Sequence, residues 1–169
     1  MQSVASEICS TLSLPSRARG SSRLPIHKVG RLLSLPAAER RLLVKATILL
    51  MVTKFCLWLL PFALVRRLSG GLVRAPFRVR DEEYPPGKVV WAVETAGRGI
   101  SRFSTCLTLA LTSQVLLGRR GHPALVLIGV VGGGGSDLEA HAWVQSGGKV
   151  LVGGTGIERY TILATLEAN

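Results

Sequence analysis

Acidic residues are few in this chain: ten Asp and Glu stand against 21 Lys and Arg, giving a formal charge of +11. Aromatics are scarcer still, at 5%, so any core is built mainly from Leu, Val, Ile and Ala. Apolar residues nonetheless make up 47% of the chain, which excludes disorder throughout. The cysteines Cys9, Cys56 and Cys106 are far apart and odd in number. That spacing excludes a disulfide scaffold and fits a reducing, cytoplasmic compartment. No CxxC, HExxH or clustered His/Asp set occurs, so neither a metal nor a cofactor is expected. The first 30 residues hold no apolar run, so no signal peptide is expected. Lys45 and Lys54 interrupt the longest apolar stretch and Pro61 follows it. No uncharged run of about 18 residues remains to span a membrane.

What is present is unevenly distributed. Residues 1–80 carry 14 Lys/Arg against Glu7 and Glu39, whereas residues 81–169 carry seven against eight acids. Charge confined to one half implies a partner surface: an acidic peptide or protein, nucleic acid, or an anionic membrane. The basic stretch lacks interleaved aromatics and any nucleic-acid module, so no nucleic-acid partner is expected. A solvated basic tail and helix face is the plainer explanation.

Three regions follow from composition and periodicity. Residues 1–33, rich in Ser, Pro, Gly and Arg, read as a disordered basic tail. Residues 34–71 read as a helical segment capped by Ser34, with Pro36 in its first turn, a bend at Pro61 and an end at Gly70-Gly71. Through residues 36–69 this segment can dock on the domain or make a peripheral membrane contact. Residues 72–169 read as the core domain. There Val89, Ala92, Val93 and Ala96 mark one buried helix face, broken at residues 97–104. A second helix starts at Cys106 and closes at Gly121, with Arg119 and Arg120 in its last turn. Residues 124–131 read as a buried strand, GGGGSD as a flexible loop and EAHAWVQ as an alternating strand. Gly147-Gly148 then turns the chain into VLVGG. Helices first and a meander after predict an α+β fold, with N-terminal helices packed on a small antiparallel sheet.

Two residues stand out chemically. Cys106 opens a helix behind Ser104 and Thr105, where unpaired amides and the helix dipole are expected to lower a thiol pKa and to hold an oxyanion. Cys56, set among Phe55, Leu57 and Trp58, reads as a buried hydrophobe. His141 shares a strand face with Trp143 and sits between Ala140 and Ala142, an uncluttered place for a general base. As a pair, His141 would take the Cys106 thiol proton and return it to a leaving amine. GVVGGGGS precedes a strand rather than a helix, so it is not a dinucleotide loop. His122 lies in a turn and reads as exposed.

The series Val90-Trp91-Ala92-Val93, Ser104-Thr105-Cys106-Leu107, Leu116-Leu117-Gly118-Arg119-Arg120-Gly121, Ile128-Gly129-Val130 and Ala140-His141-Ala142-Trp143-Val144 resembles one family. It is similar to the leader peptidases of bacterial lasso-peptide biosynthesis, a branch of the transglutaminase-like, papain-related cysteine peptidases. The resemblance runs over about residues 35–163. It implies removal of a leader from a ribosomally made precursor, with Cys106 as nucleophile and His141 as base. It also implies a separate leader-recognition protein and an ATP-dependent macrolactam synthetase as partners. The family's third member is an aspartate, and its position here is Gly153. Glu158, Asp137, a backbone carbonyl or water could take its place. With that position empty, a catalytically inactive scaffold binding the leader or the synthetase is a further expectation, as is a Cys–His acyl transferase. A two-residue turn would put Gly154 opposite His141, and a bulge would shift it.

Overall fold

The computed structural model describes residues 35–74, 84–100, 104–132 and 138–167. The basic tail at 1–33, the Ser34 cap and residues 133–137 of the glycine loop, Asp137 among them, lie outside these residues.

Helix α1 (Ala37–Leu59) follows Pro36, which stands just before the first turn rather than within it. It ends at Leu60, which adopts an extended conformation (φ −116°, ψ 147°). Pro61 enforces this, because its ring disfavours helical geometry in the preceding residue. Helix α2 (Phe62–Arg74) corrects the expected stop at Gly70-Gly71 by running straight through it. The reason is tertiary. Gly70 is buried, and Val73 beyond it packs so tightly on Gly118 that a Cβ there would fall 2.8 Å from Val73 Cγ1. Such packing outweighs the ~1 kcal/mol that glycine costs within a helix. Helix α3 (Pro86–Gly99) carries Pro86 in its first turn, and Val89, Ala92, Val93 and Ala96 are all buried as their spacing requires. It runs past the expected break at residue 97, since Gly97 lies close against Leu109.

Helix α4 (Cys106–Gly118) is the centre of the molecule, with ten residues buried between Leu107 and Leu117. A helix apolar all round has no solvent side to offer, so its neighbours enclose it: α1, α2 and α3 on the helical side and the sheet on the other. Most of its polar members are matched, the buried Ser113 hydroxyl being the exception. Gln114 Nε2 donates to the carbonyls of Ala124 (3.1 Å) and Leu166 (2.8 Å), tying the helix to the start of one strand and the end of another. The helix ends at Gly118 rather than Gly121, which leaves Arg119 and Arg120 just beyond its last turn instead of within it; Arg120 reaches back to donate to the Leu116 carbonyl at 2.8 Å.

Four antiparallel strands complete the fold: β1 (Leu125–Gly132), β2 (Leu138–Ser146), β3 (Lys149–Val152) and β4 (Thr161–Leu166), in the order β3-β2-β1-β4. Val126, Ala142, Val144 and Val152 join the helices in one hydrophobic core, so the architecture is α+β as the sequence predicts. The turn residues Gly147 and Gly148 both have positive φ (56° and 77°), the geometry of a tight hairpin. The register is the bulged alternative: Gln145 pairs with Val150 but Val144 with Val152, so Leu151 is the extra residue.

β3 and β4 lie at opposite edges, so residues 153–160 must cross β2 and β1. The crossing runs over the outer sheet face and leaves Trp143 only 4% exposed there.

Leu111 is 1% exposed on α4. Leu111→Ala is expected to lower the free energy of unfolding by about 2–5 kcal/mol. Urea denaturation followed by circular dichroism measures this, with the slope against urea unchanged.

Candidate active site

Thr105 caps α4: its hydroxyl accepts from the Thr108 amide at 3.3 Å and pairs with the Thr108 hydroxyl at 2.8 Å. Ser104 donates to the Gly97 carbonyl at 2.9 Å, anchoring the approach to the helix on α3. Cys106 is thereby fixed as the first residue of α4, half-buried, with its thiol directed at the edge of β2.

Burial pushes the Cys106 thiol above its ordinary pKa, and the amides of Ala142, Leu107 and Cys106 itself pull it partly back. This corrects the expected low pKa. The helix start supplies the anticipated donors, but the packing that creates them also strips water from the sulfur, and desolvation prevails. Cys56 is partly buried and packs against the core.

The Ala142 amide belongs to the peptide bond that joins it to His141. The thiol thus lies at the residue next to His141, near where β3 stops at Val152, with no hydrogen bond joining sulfur and imidazole. The His141 ring makes one hydrogen bond among the described residues: Nε2 lies 2.8 Å from the Gly153 carbonyl oxygen. A carbonyl only accepts, so Nε2 carries the proton and, in the neutral ring, Nδ1 is left as the acceptor. Gly153 thus supplies the ring with a main-chain oxygen as its acceptor. Glu158 is exposed on the short 3₁₀ turn Ile157–Arg159.

The Gly153 backbone is committed to this role. Its φ is +75°, and a Cβ built there would lie 2.9 Å from the Ala142 carbonyl oxygen and 3.3 Å from the Trp143 Cα. An aspartate does not fit without moving β2 or the chain reversal after β3.

The imidazole is not uncluttered, contrary to the sequence expectation. It stacks beside Trp143, with centroids 6.3 Å apart and an interplanar angle of 23°, and meets Tyr160 at 5.3 Å. Gly129 faces His141 across β1 and makes room for both aromatics: a Cβ there would come within 2.9 Å of the Trp143 ring and of Tyr160 Cβ. Sequence reasoning singled out neither Tyr160 nor its partners. Its hydroxyl donates to Glu139 and accepts from Arg159 (3.1 Å), which also pairs with Glu139 at 3.1 Å. Burial, then the bond to Glu139, raises the Tyr160 pKa, so the phenol keeps its proton. The alternation Glu139, His141, Trp143 carried a signal for Glu139; Tyr160 reaches them only through the crossing segment.

The sequence matches the family model described as the Transglutaminase-like superfamily over residues 47–165, and the chain belongs to that superfamily, which includes cysteine peptidases. Comparison with curated proteins and with solved structures gave no match.

A thiol held protonated by burial alkylates slowly at neutral pH. For Cys106 the iodoacetamide rate, followed by peptide mass spectrometry, is expected to rise with an inflection above the ~8.5 of a free thiol. An inflection below 7 would reveal a preformed thiolate–imidazolium pair instead. The linked stability has a definite sign. Above the unfolded thiol's pKa the native state retains the proton longer, so stability falls as pH rises through the folded value.

Proposed function

We propose that this chain is a cysteine peptidase that removes the leader from a ribosomally made lasso-peptide precursor before macrolactam closure. The observation that carries the chemistry is the shared peptide: the Cys106 thiol lies on the Ala142 amide, and the adjacent His141 is oriented through Nε2 by the Gly153 carbonyl. The choice of a lasso leader rests on the resemblance of the Cys106 and AHAWV segments; the superfamily alone supports the broader thiol-enzyme class.

In this reading Nδ1 of His141 takes the thiol proton as sulfur attacks the scissile carbonyl. Main-chain amides beside the sulfur, those of Cys106, Leu107 and Ala142, donate to the developing oxyanion. The imidazolium gives its proton to the departing amine. Water, deprotonated by the neutral imidazole, then cleaves the thioester and restores the thiol. The neutral thiol suits this route, because proton removal is coupled to attack. A separate leader-recognition protein delivers the precursor, and an ATP-dependent macrolactam synthetase takes the trimmed product.

Burial of the thiol favours one rival, an inactive scaffold that holds the leader or the synthetase. A third outcome keeps the Cys–His chemistry and transfers the acyl group to an amine, which product mass distinguishes from hydrolysis.

The test incubates precursor, recognition protein and this chain, and follows leader release by mass spectrometry. Cys106→Ala is expected to abolish release and His141→Ala to slow it by about 10²–10⁴-fold. Full activity in Cys106→Ala overturns the proposal. Gly153→Asp is expected to lower stability by about 1–3 kcal/mol and not to raise turnover, because the left-handed backbone excludes the side chain.

A further inference from the structure

α1 turns one face into the core and leaves another bare. Leu42, Ala46, Leu50 and Thr53 are buried, and Thr53 meets the Thr112 hydroxyl of α4 at 3.4 Å. At about 100° per residue, Val44, Ile48, Met51, Phe55 and Trp58 fall together on the opposite side. Their exposures run from 44% at Met51 to 77% at Trp58. Leu59 extends this arc, and beyond Pro61 the four-residue spacing of Leu64, Leu68 and Leu72 gives α2 an apolar stripe of its own, each residue at least 40% exposed. So many large apolar side chains on the bare face of α1 mark a binding surface.

The charges around the arc decide what binds it. Together α1 and α2 carry seven Lys/Arg and one acid, Glu39, which is already paired with Lys88 at 2.8 Å. On the same helical wheel Lys45 lies at one border of the apolar arc and Lys54 at the other. Arg40 and Arg41 stand at its N-terminal end. The four-three spacing of residues 44, 48, 51, 55 and 58 could seat a helix from a second copy. That pairing would bring cations against cations, with no acid on either helix left to separate them. An anionic lipid surface satisfies both requirements at once: acyl chains accept the apolar arc while basic side chains reach outward to phosphates. A Trp and a Phe at the most exposed end, with ring centroids 6.4 Å apart, suit the boundary between headgroups and acyl chains.

α1 is also the one helix among the described residues that is long and apolar enough to cross a bilayer. Crossing would tear Leu42, Ala46 and Leu50 out of the core shared with α3 and α4. Lying flat keeps that core intact and uses only the bare face.

We propose that α1 and α2 form a peripheral docking surface for an anionic phospholipid bilayer, with the Val44–Trp58 arc entering the headgroup layer. The surface belongs to the fold rather than to the Cys106 chemistry, so it stands or falls independently of the peptidase reading.

Sedimentation of the full chain with vesicles tests it. Binding is expected with phosphatidylcholine vesicles containing phosphatidylglycerol and is weak with phosphatidylcholine alone. It should fall steeply toward about 1 M salt, where the screening length is ~3 Å. The double variant Phe55→Ser/Trp58→Ser, and separately Lys54→Glu/Arg67→Glu, should each weaken binding by about tenfold or more. All four residues lie outside the buried core, so unchanged melting by circular dichroism confirms that the variants fold. Failure of the parent chain to bind the anionic vesicles overturns the proposal. So does equal binding by the Phe55/Trp58 variant, which would assign attachment to basic residues elsewhere. A dimer that forms without vesicle binding and is lost in that variant would replace the lipid with a second copy, and capture only by an acidic protein would replace it with that partner.

Discussion

The enclosure of α4 governs everything around it. Its segment CLTLALTSQVLLG has no polar stripe, so the sequence leaves it only one stable place, between three helices and a sheet. Glycines at the crossings, Gly97 toward Leu109 and Gly118 toward Val73, let the neighbouring helices approach closely enough to seal it. Gln114 answers the polar groups at two strand ends that the same enclosure would otherwise strand. Because Cys106 is the first residue of this enclosed helix, its thiol inherits the burial. The same packing that aims the sulfur at β2 therefore holds it protonated.

The histidine side is assembled by a different constraint, the length of β3. The bulge at Val144/Gln145 lets β3 finish at Val152, and the reversal at Gly153 brings a carbonyl to the imidazole. The chain must next traverse the outer face to reach β4, and in doing so lays Tyr160 beside the ring and covers Trp143. Gly129 leaves the vacancy beneath them. One eight-residue crossing thus links the acceptor at one end of the imidazole to the aromatic wall at the other.

Much of this was legible from residue order. Val89, Ala92, Val93 and Ala96 announced the buried face of α3, Ser104-Thr105 announced the start of α4, and the alternation around Ala140–Val144 put His141 and Trp143 on one face. The α+β architecture followed from the change of period near residue 124. What failed depended on distant partners. Gly70-Gly71 signals a helix end locally, and only the contact of Val73 with Gly118 carries the helix on to Arg74. The thiol pKa was misjudged because a helix start is visible in sequence and the surrounding desolvation is not. Tyr160 and Glu139 are 21 residues apart, and no periodicity relates them. The choice between two hairpin registers rested on a bulge that two adjacent glycines do not encode.

Gly153 separates the role of a position from the identity of its side chain. A main-chain oxygen neither titrates near neutrality nor adds a full negative charge, so it orients the ring without placing a carboxylate's charge beside it. It also cannot be deleted by exchanging one side chain for another; only a change of backbone path removes it. In such an arrangement the determinant is a torsion angle rather than a side chain.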